Sequence, residues 1–456
     1  MTVLALELND SDIIVGRAAD SWQSAGPGLA LLDPGKPLLG EAARAQARLR
    51  PTRLHNRFWS ELSVEPLKVP AAYAGSNADL ACAQLADIWR RSDGEGASAA
   101  LFLVPGSFGR DALGLLLGIA GECGIPARAV VDTAVASAEI PADGRAILHF
   151  DVHLHFVIVT EVLPVNGLAR GELQVTESVG LATLEQAWAG ACAEAFVRQT
   201  RFDPLHDAES EQALYDLLPE WLDALADGAE QELSLERGGQ TQRATMTRRQ
   251  LLEVTTPQYE RIVRLVESMR VSRGPVSLQL SHRAARLPGL AERLGALKDV
   301  ELKTLGSGRP VEGVLSHRDF LLNNEGPVRY VTTLPEVGAP PAPVPELPPE
   351  ALDQRPAPTH LLNGTIAWAL SESPLTLGVA PITDGRGLVV TGSVEGVSRR
   401  HCSIVRRDDG VFVEDHSRYG TFINGKRVSE SARLHAGDVL RVGSPGSEFL
   451  LLEARD

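Results

Sequence analysis

His149, Asp151, His153 and His155 alternate within residues 146–162. On an extended strand, side chains two apart point to the same face. A face carrying imidazoles and a carboxylate can chelate Zn²⁺ or another divalent ion, with Glu7 as a further oxygen donor. The same groups can form a polar, hydrogen-bonded plug. No further ligand set is visible in the sequence, and the plug is the favoured reading. A second concentration of chemistry lies near the C-terminus, where Arg399, Arg400, Arg406, Arg407 and Arg418 give a locally basic surface. The bland reading of these arginines is a solvated face. Cys82, Cys123, Cys192 and Cys402 form no CxxC pair and have no nucleophile signature around them. Reduced, buried thiols of a cytosolic protein are expected.

These groups sit in a chain of 456 residues, long enough for two to four folding units. Hydrophobic residues make up 44% and charged residues 23%, so disorder of the whole chain is excluded. Lys and Arg number 44 against 59 Asp and Glu, a net charge of −15, which argues against a general binder of nucleic acid or anionic membrane. No apolar run reaches a membrane-spanning length, and the first residues lack a basic signal-peptide region. A cytoplasmic setting is expected.

Residues 335–358 hold nine prolines, which forbids helix or inner strand and predicts a stiff linker over 335–361. Before it, strands are expected at residues 3–8, 100–104, 129–131, 146–162 (one or two) and 276–280. Helices are expected at 79–91, 111–123, 184–200, 209–226, 257–269 and 290–297, with Thr256 as a helix cap. This alternation predicts an α/β body over residues 1–334, long enough for two lobes. After the linker, eight short strands with turn signals between them predict an antiparallel β-sandwich over residues 362–456.

The C-terminal segments Ser398-Arg399-Arg400-His401, Gly420-Thr421-Phe422-Ile423-Asn424-Gly425 and Gly437-Asp438 resemble the SxxH, GTxxNG and GD motifs of forkhead-associated (FHA) domains. That family is an eleven-stranded sandwich whose loops bind phosphothreonine peptides. The resemblance implies a phosphate site with Ser398 as hydroxyl donor, Arg386 as guanidinium, and Arg399, Arg418, Tyr419 and Thr421 around it. An alternative alignment puts Val379 at the arginine position. Arg418 and Tyr419 stand where the family has Thr and Asn, and the asparagine normally grips the ligand backbone. The resemblance makes His401 a structural brace.

Residues 1–335 resemble the nucleotide-binding region of DnaK-type heat-shock chaperones, in the actin superfamily. The segments carrying the likeness are Leu4-Ala5-Leu6-Glu7, Gly40-Glu41-Ala42-Ala43, Val104-Pro105-Gly106-Ser107-Phe108, Asp132-Thr133-Ala134-Val135-Ala136, Thr247-Arg248-Arg249 and Arg286-Leu287-Pro288. The resemblance implies a two-lobed actin-like ATPase fold followed by the all-β FHA sandwich. The family's phosphate loops need bare backbone amides and glycines. Here Asn9, Asp10 and Asp12 follow the first strand, and His153, Leu154 and His155 replace the second glycine loop. Ser281 and His282 stand in the adenosine loop, and Trp59 near the catalytic lysine. A degenerate cleft lined by Glu7, Asn9, Asp10, Asp151, His153, His155, Ser281 and His282 is therefore expected.

The resulting expectation is a pseudo-ATPase scaffold with no catalytic residues and no cofactor, joined to a module that contacts a protein partner, which the FHA resemblance implies is phosphorylated on threonine. The alternative is a divergent ATPase holding Mg²⁺ through Glu7, Asp10 or Asp151.

Overall fold

A computed structural model describes residues 2–18, 21–33, 35–71, 73–323, 328–336, 357–363, 366–380, 386–390, 396–407, 410–423, 426–443 and 447–452. The chain divides into two compact units, Met1–Pro341 and Ala342–Asp456.

The first unit is mixed α/β and holds two six-stranded sheets. The first uses β1 (Val3–Glu7), β2 (Ile13–Ala18), β3 (Ser21–Gly26), β4 (Ala99–Val104) and β5 (Ala127–Asp132). The second uses β6 (Ala146–Val152), β7 (Val157–Leu163), β8 (Leu168–Thr176), β9 (Val276–Leu280) and β10 (Val300–Thr304). Their strand orders match. In each, three strands run as an antiparallel meander, and two later strands pair in parallel on the far side of the first strand. Two short strands complete them: β11 (Arg329–Val331) pairs in parallel with β5, and β12 (Thr333–Leu334) antiparallel with β8.

Helices cover the inner parallel strands, β4 (AALFLV) and β9, which are buried throughout, whereas the edge strand β10 (VELKT) is largely exposed. Helix Asn77–Arg91, capped by Ser76 and Asp79, packs Leu80, Leu85 and Ile88 into the same core as Leu116 and Ile119 of helix Arg110–Glu122. In the second half, helices Leu181–Thr200, Ala208–Asp227 and Thr256–Arg270 supply Trp188, Phe196, Leu214, Trp221, Tyr259 and Ile262 to one core with Phe150, Leu278 and Leu280.

Most expected elements are found within a few residues of their expected ends. Residues 146–162 form two strands, with a turn at 153–156. The cap of helix Thr256–Arg270 is Thr255 rather than Thr256, because the helix starts one residue earlier with Pro257 in its first turn. The hairpin Glu230–Arg237/Gln240–Thr247 was not anticipated.

The second unit has eleven strands among its described residues, in sheets of six and five. Leu377, Ile404, Val413, Leu434, Leu440, Phe449 and Leu451 fill the space between them. Its first strand is His360–Asn363, so the last residues of the expected linker belong to the sandwich. Residues 337–356 of that linker, and the turn signals at 384–385, 408–409 and 424–425, lie outside the described residues. Among the described residues no helix is long and apolar enough to cross a membrane.

Candidate functional site

Both sheets of the first unit end their first strand at one cleft. The turn after β1 carries Asn9, Asp10 and Ser11, and the turn after β6 carries His153 to Phe156. The two turns bond directly to each other. Asn9 Nδ2 donates to Asp151 Oδ2 at 3.0 Å and to the Val152 carbonyl at 3.1 Å. Leu154 N–H donates to Asp10 Oδ1 at 2.8 Å. The His153 ring lies 3.3 Å from Asp10 Oδ1 and 3.9 Å from Asp151 Oδ2, and stacks on Phe156 with centroids 4.2 Å apart. Asn9, Asp10, Asp151 and His153 are all at most 3% exposed. Peptide amides that a phosphate would need are thus already bonded to protein.

The start of helix Leu181–Thr200 tells the same story. Exposed N–H groups at a helix N-terminus are natural anion donors. Here Leu181 and Ala182 give theirs to the His153 and Leu154 carbonyls, each at 2.9 Å. Gly180 allows this approach, since a Cβ there would stand 2.4 Å from the His155 carbonyl carbon.

Beneath the turns lies an ion pair that sequence reasoning passed over. Arg283 donates to both Glu7 carboxylate oxygens, at 2.8 and 2.9 Å, and to the Asp12 carbonyl at 2.6 Å. Arg283 is 8% and Glu7 1% exposed. Burial pushes the Glu7 carboxyl above its ordinary value, and Arg283 draws it only part of the way back. Burial also pushes Asp151 up, but the charges of Arg283, His153 and His149 more than reverse this and hold it below the usual carboxylate range. Burial lowers His149 and His155, and lowers His282 to about 4.

Ser281 caps the short helix His282–Ala285, accepting from Ala284 N–H at 3.2 Å. Trp59 is buried and donates through Nε1 to Gln84 at 2.7 Å. The four residues expected on one strand face separate. His149 and Asp151 lie on β6, whereas His153 and His155 lie on the turn, and His155 Nε2 bonds the Asn56 carbonyl at 2.8 Å. The strand stops at Val152 because the chain reverses there to begin β7. Among the described residues no group of three or more His, Cys, Asp or Glu is arranged to hold a metal ion. A cavity of about 370 Å³ opens beside the cleft, lined by Ser11, Asp12, Glu185, Trp188, Tyr215 and His282 among others.

In the second unit, His401 organises the loop end. Its Nδ1 accepts from Ser398 N–H at 3.0 Å, so Nε2 carries the proton and donates to the Gly420 carbonyl at 3.1 Å. Burial lowers its pKa and keeps this neutral form. The Ser398 hydroxyl accepts from Arg418 N–H at 3.3 Å, which brings Ser398, Arg399, Arg418 and Tyr419 to one end of the sandwich. Arg399, Arg400, Arg418 and Tyr419 are exposed, and the three guanidinium groups bond to no other described residue.

Two expected site residues are elsewhere. Thr421 is fully buried and donates to Asp415 Oδ1 at 2.8 Å, so it braces the loop instead of facing a ligand. Arg386 pairs in register with Leu375, at the opposite end of its strand from Gly378, against which the Ser398–Arg399 backbone packs. Three residues of strand separate the two ends by about 10 Å. Arg386 bonds Ser371 and the Ala369 carbonyl instead. The residue beside Ser398 is Val379, whose N–H donates to the Ser398 carbonyl at 3.2 Å.

Replacing His401 by alanine is expected to destabilise the second unit by about 1–3 kcal/mol, because Ser398 N–H and the Gly420 carbonyl lose their partner. Hydrogen exchange at Ser398 and Gly420 amides, faster in the variant, checks it; unchanged protection would remove His401 from its bracing role.

No curated protein matches the chain. A family model for the FHA domain matches residues 385–443. The second unit therefore carries an FHA domain, a protein-interaction module that in its family often binds phosphothreonine.

Proposed function

We propose that the chain is a non-catalytic scaffold or adaptor: an actin-like, DnaK-related body that works without nucleotide, joined to an FHA domain that recruits a protein partner. The observation that carries this reading is the direct bonding of the two cleft turns through Asn9, Asp10, Asp151 and Leu154. Opening that space for a triphosphate would break buried hydrogen bonds and set Asp10 and Asp151 against a polyanion. The matching strand orders of the two sheets support the actin-like build. A cytoplasmic setting belongs to the same proposal.

ATP with Mg²⁺ is accordingly expected to leave the melting temperature of the full chain within about 1 °C of its value without nucleotide, because only a ligand that binds the native state raises it. A saturable rise would overturn the reading. It would favour the second one, a divergent chaperone-like ATPase with Mg²⁺ near Glu7, Asp10 or Asp151, for which the adjoining cavity speaks.

At the FHA domain, Ser398, Arg399 and Arg418 form the contact face of this proposal. The full chain should retain a protein from a lysate of the cells that produce it. The triple variant Ser398→Ala/Arg399→Ala/Arg418→Ala should not. Prior phosphatase treatment of the lysate shows whether the contact requires phosphate. Equal retention by the variant would exclude this face.

A further inference from the structure

Cys82 and Cys123 lie 41 residues apart in sequence, yet their sulfurs are 3.5 Å apart. Cys82 sits in the second turn of helix Asn77–Arg91. Cys123 is the C-terminal cap of helix Arg110–Glu122. Both helices pack into one core, and both cysteines lie at its edge, partly exposed. Cys192 and Cys402 are buried and far away in sequence. The two thiols already touch, and the Cys123 thiol also points at the Cys82 carbonyl, 3.6 Å away.

A disulfide needs sulfurs at about 2.05 Å with a Cβ–S–S–Cβ angle near 90°. Closing the remaining gap requires a small movement. Cys123 has room for it, because it ends its helix and the next residue, Gly124, turns the chain at φ +65°. We propose that Cys82 and Cys123 form a dithiol modification site that a hydroperoxide oxidises to a disulfide, stapling the two helices together.

Burial, the neighbouring Cys82 and, last, the adjacent Glu122 push the Cys123 thiol up to about 12. Either sulfur can attack first, with the same disulfide and the same balance. With Cys82 attacking, its thiolate takes one oxygen from hydrogen peroxide, the O–O bond breaks, and the other oxygen leaves as water after protonation. The Cys82 sulfenic acid is then attacked by Cys123 sulfur, the S–O bond breaks, and a second water leaves. Two thiols lose two protons and two electrons, and one peroxide becomes two waters. The raised Cys123 thiol makes the closing step faster at higher pH.

The test uses the full chain, reduced, freed of reductant and exposed to hydrogen peroxide over a range of concentrations. Thiols are counted after denaturation and peptides mapped without reduction. Two of the four thiols should disappear together. A peptide linking Cys82 to Cys123 should appear, and dithiothreitol should restore both thiols. Cys123→Ser should instead accumulate a sulfenic acid on Cys82 that dimedone traps, and Cys82→Ser should form no intramolecular disulfide. Retention of all four thiols at peroxide levels that already oxidise methionine would overturn the proposal. So would loss of thiols without the 82–123 peptide, or with a different pairing. Neither variant needs to fold for the wild-type result to decide.

Discussion

Glu7→Ala is expected to destabilise the first unit by about 3–5 kcal/mol, the usual cost of leaving one partner of a buried ion pair uncompensated. Arg283 would lose both of its carboxylate bonds and retain only the Asp12 carbonyl. It cannot shed its proton to escape, since a guanidinium stays charged. It cannot swing into solvent without pulling the helix His282–Ala285 away from the cleft. Urea unfolding followed by tryptophan fluorescence measures this cleanly, because five of the six tryptophans (22, 59, 89, 188 and 221) precede the second unit. The double variant Glu7→Leu/Arg283→Leu should recover most of the loss, because apolar side chains of similar size avoid burying a lone charge. A loss below about 1 kcal/mol in Glu7→Ala, in the range of an exposed pair, would show that the pair does not hold the cleft.

The second large effect is acid sensitivity. Burial lowers His55, His149, His155 and His282 from an ordinary value of 6.5. Unfolding returns each to that value, so below pH 6.5 the unfolded chain binds protons that the folded chain refuses. Stability must then fall as pH falls, with each histidine contributing up to about 1.4 kcal/mol per pH unit. Glu7 and Glu185 act in the opposite sense, because burial raises them and the folded state holds their protons more tightly. The four histidines outnumber these two carboxylates, and Asp151, held below the usual carboxylate range, acts on the histidines' side, so unfolding takes up protons as the pH falls. His155 and His282 are partly exposed and contribute less than their full share. The melting temperature of the first unit should therefore be flat above pH 7 and drop between pH 6.5 and 5. His149→Gln should flatten the drop; a flat profile in the wild-type chain would contradict the neutral buried histidines.

Much of this architecture was legible because it is local. β4 (AALFLV) reads as a buried strand from composition alone, and the SxxH, GTxxNG and GD spacing located the FHA domain. What escaped is long-range. Arg283 bonds Glu7 across 276 residues, and nothing in a Leu-Ser-His-Arg-Ala-Ala segment announces that partner. The alternation His149–His155 was read as one strand face, but alternation does not say where a strand stops, and the turn at 153 redirected two of the four side chains. Arg386 rested on the FHA resemblance, with Val379 as the alternative alignment. Register decides such questions, and the pairing of Arg386 with Leu375 places it at the wrong end. The hairpin Glu230–Arg237/Gln240–Thr247 escaped because most of its side chains face solvent, leaving only Leu233, Leu235, Ala244 and Met246 to mark a buried face.

β11 has a consequence for how the chain is made. Ala129 of β5 finds its neighbour in Arg329, two hundred residues later. During synthesis the first sheet is therefore left with a bare outer edge until residue 331 has emerged. An unpaired parallel edge is a template for any passing strand. The vulnerable interval of this protein is its own translation, and a ribosome stalled between residues 132 and 329 should leave a nascent chain that aggregates although strands β1 to β5 are fully synthesised.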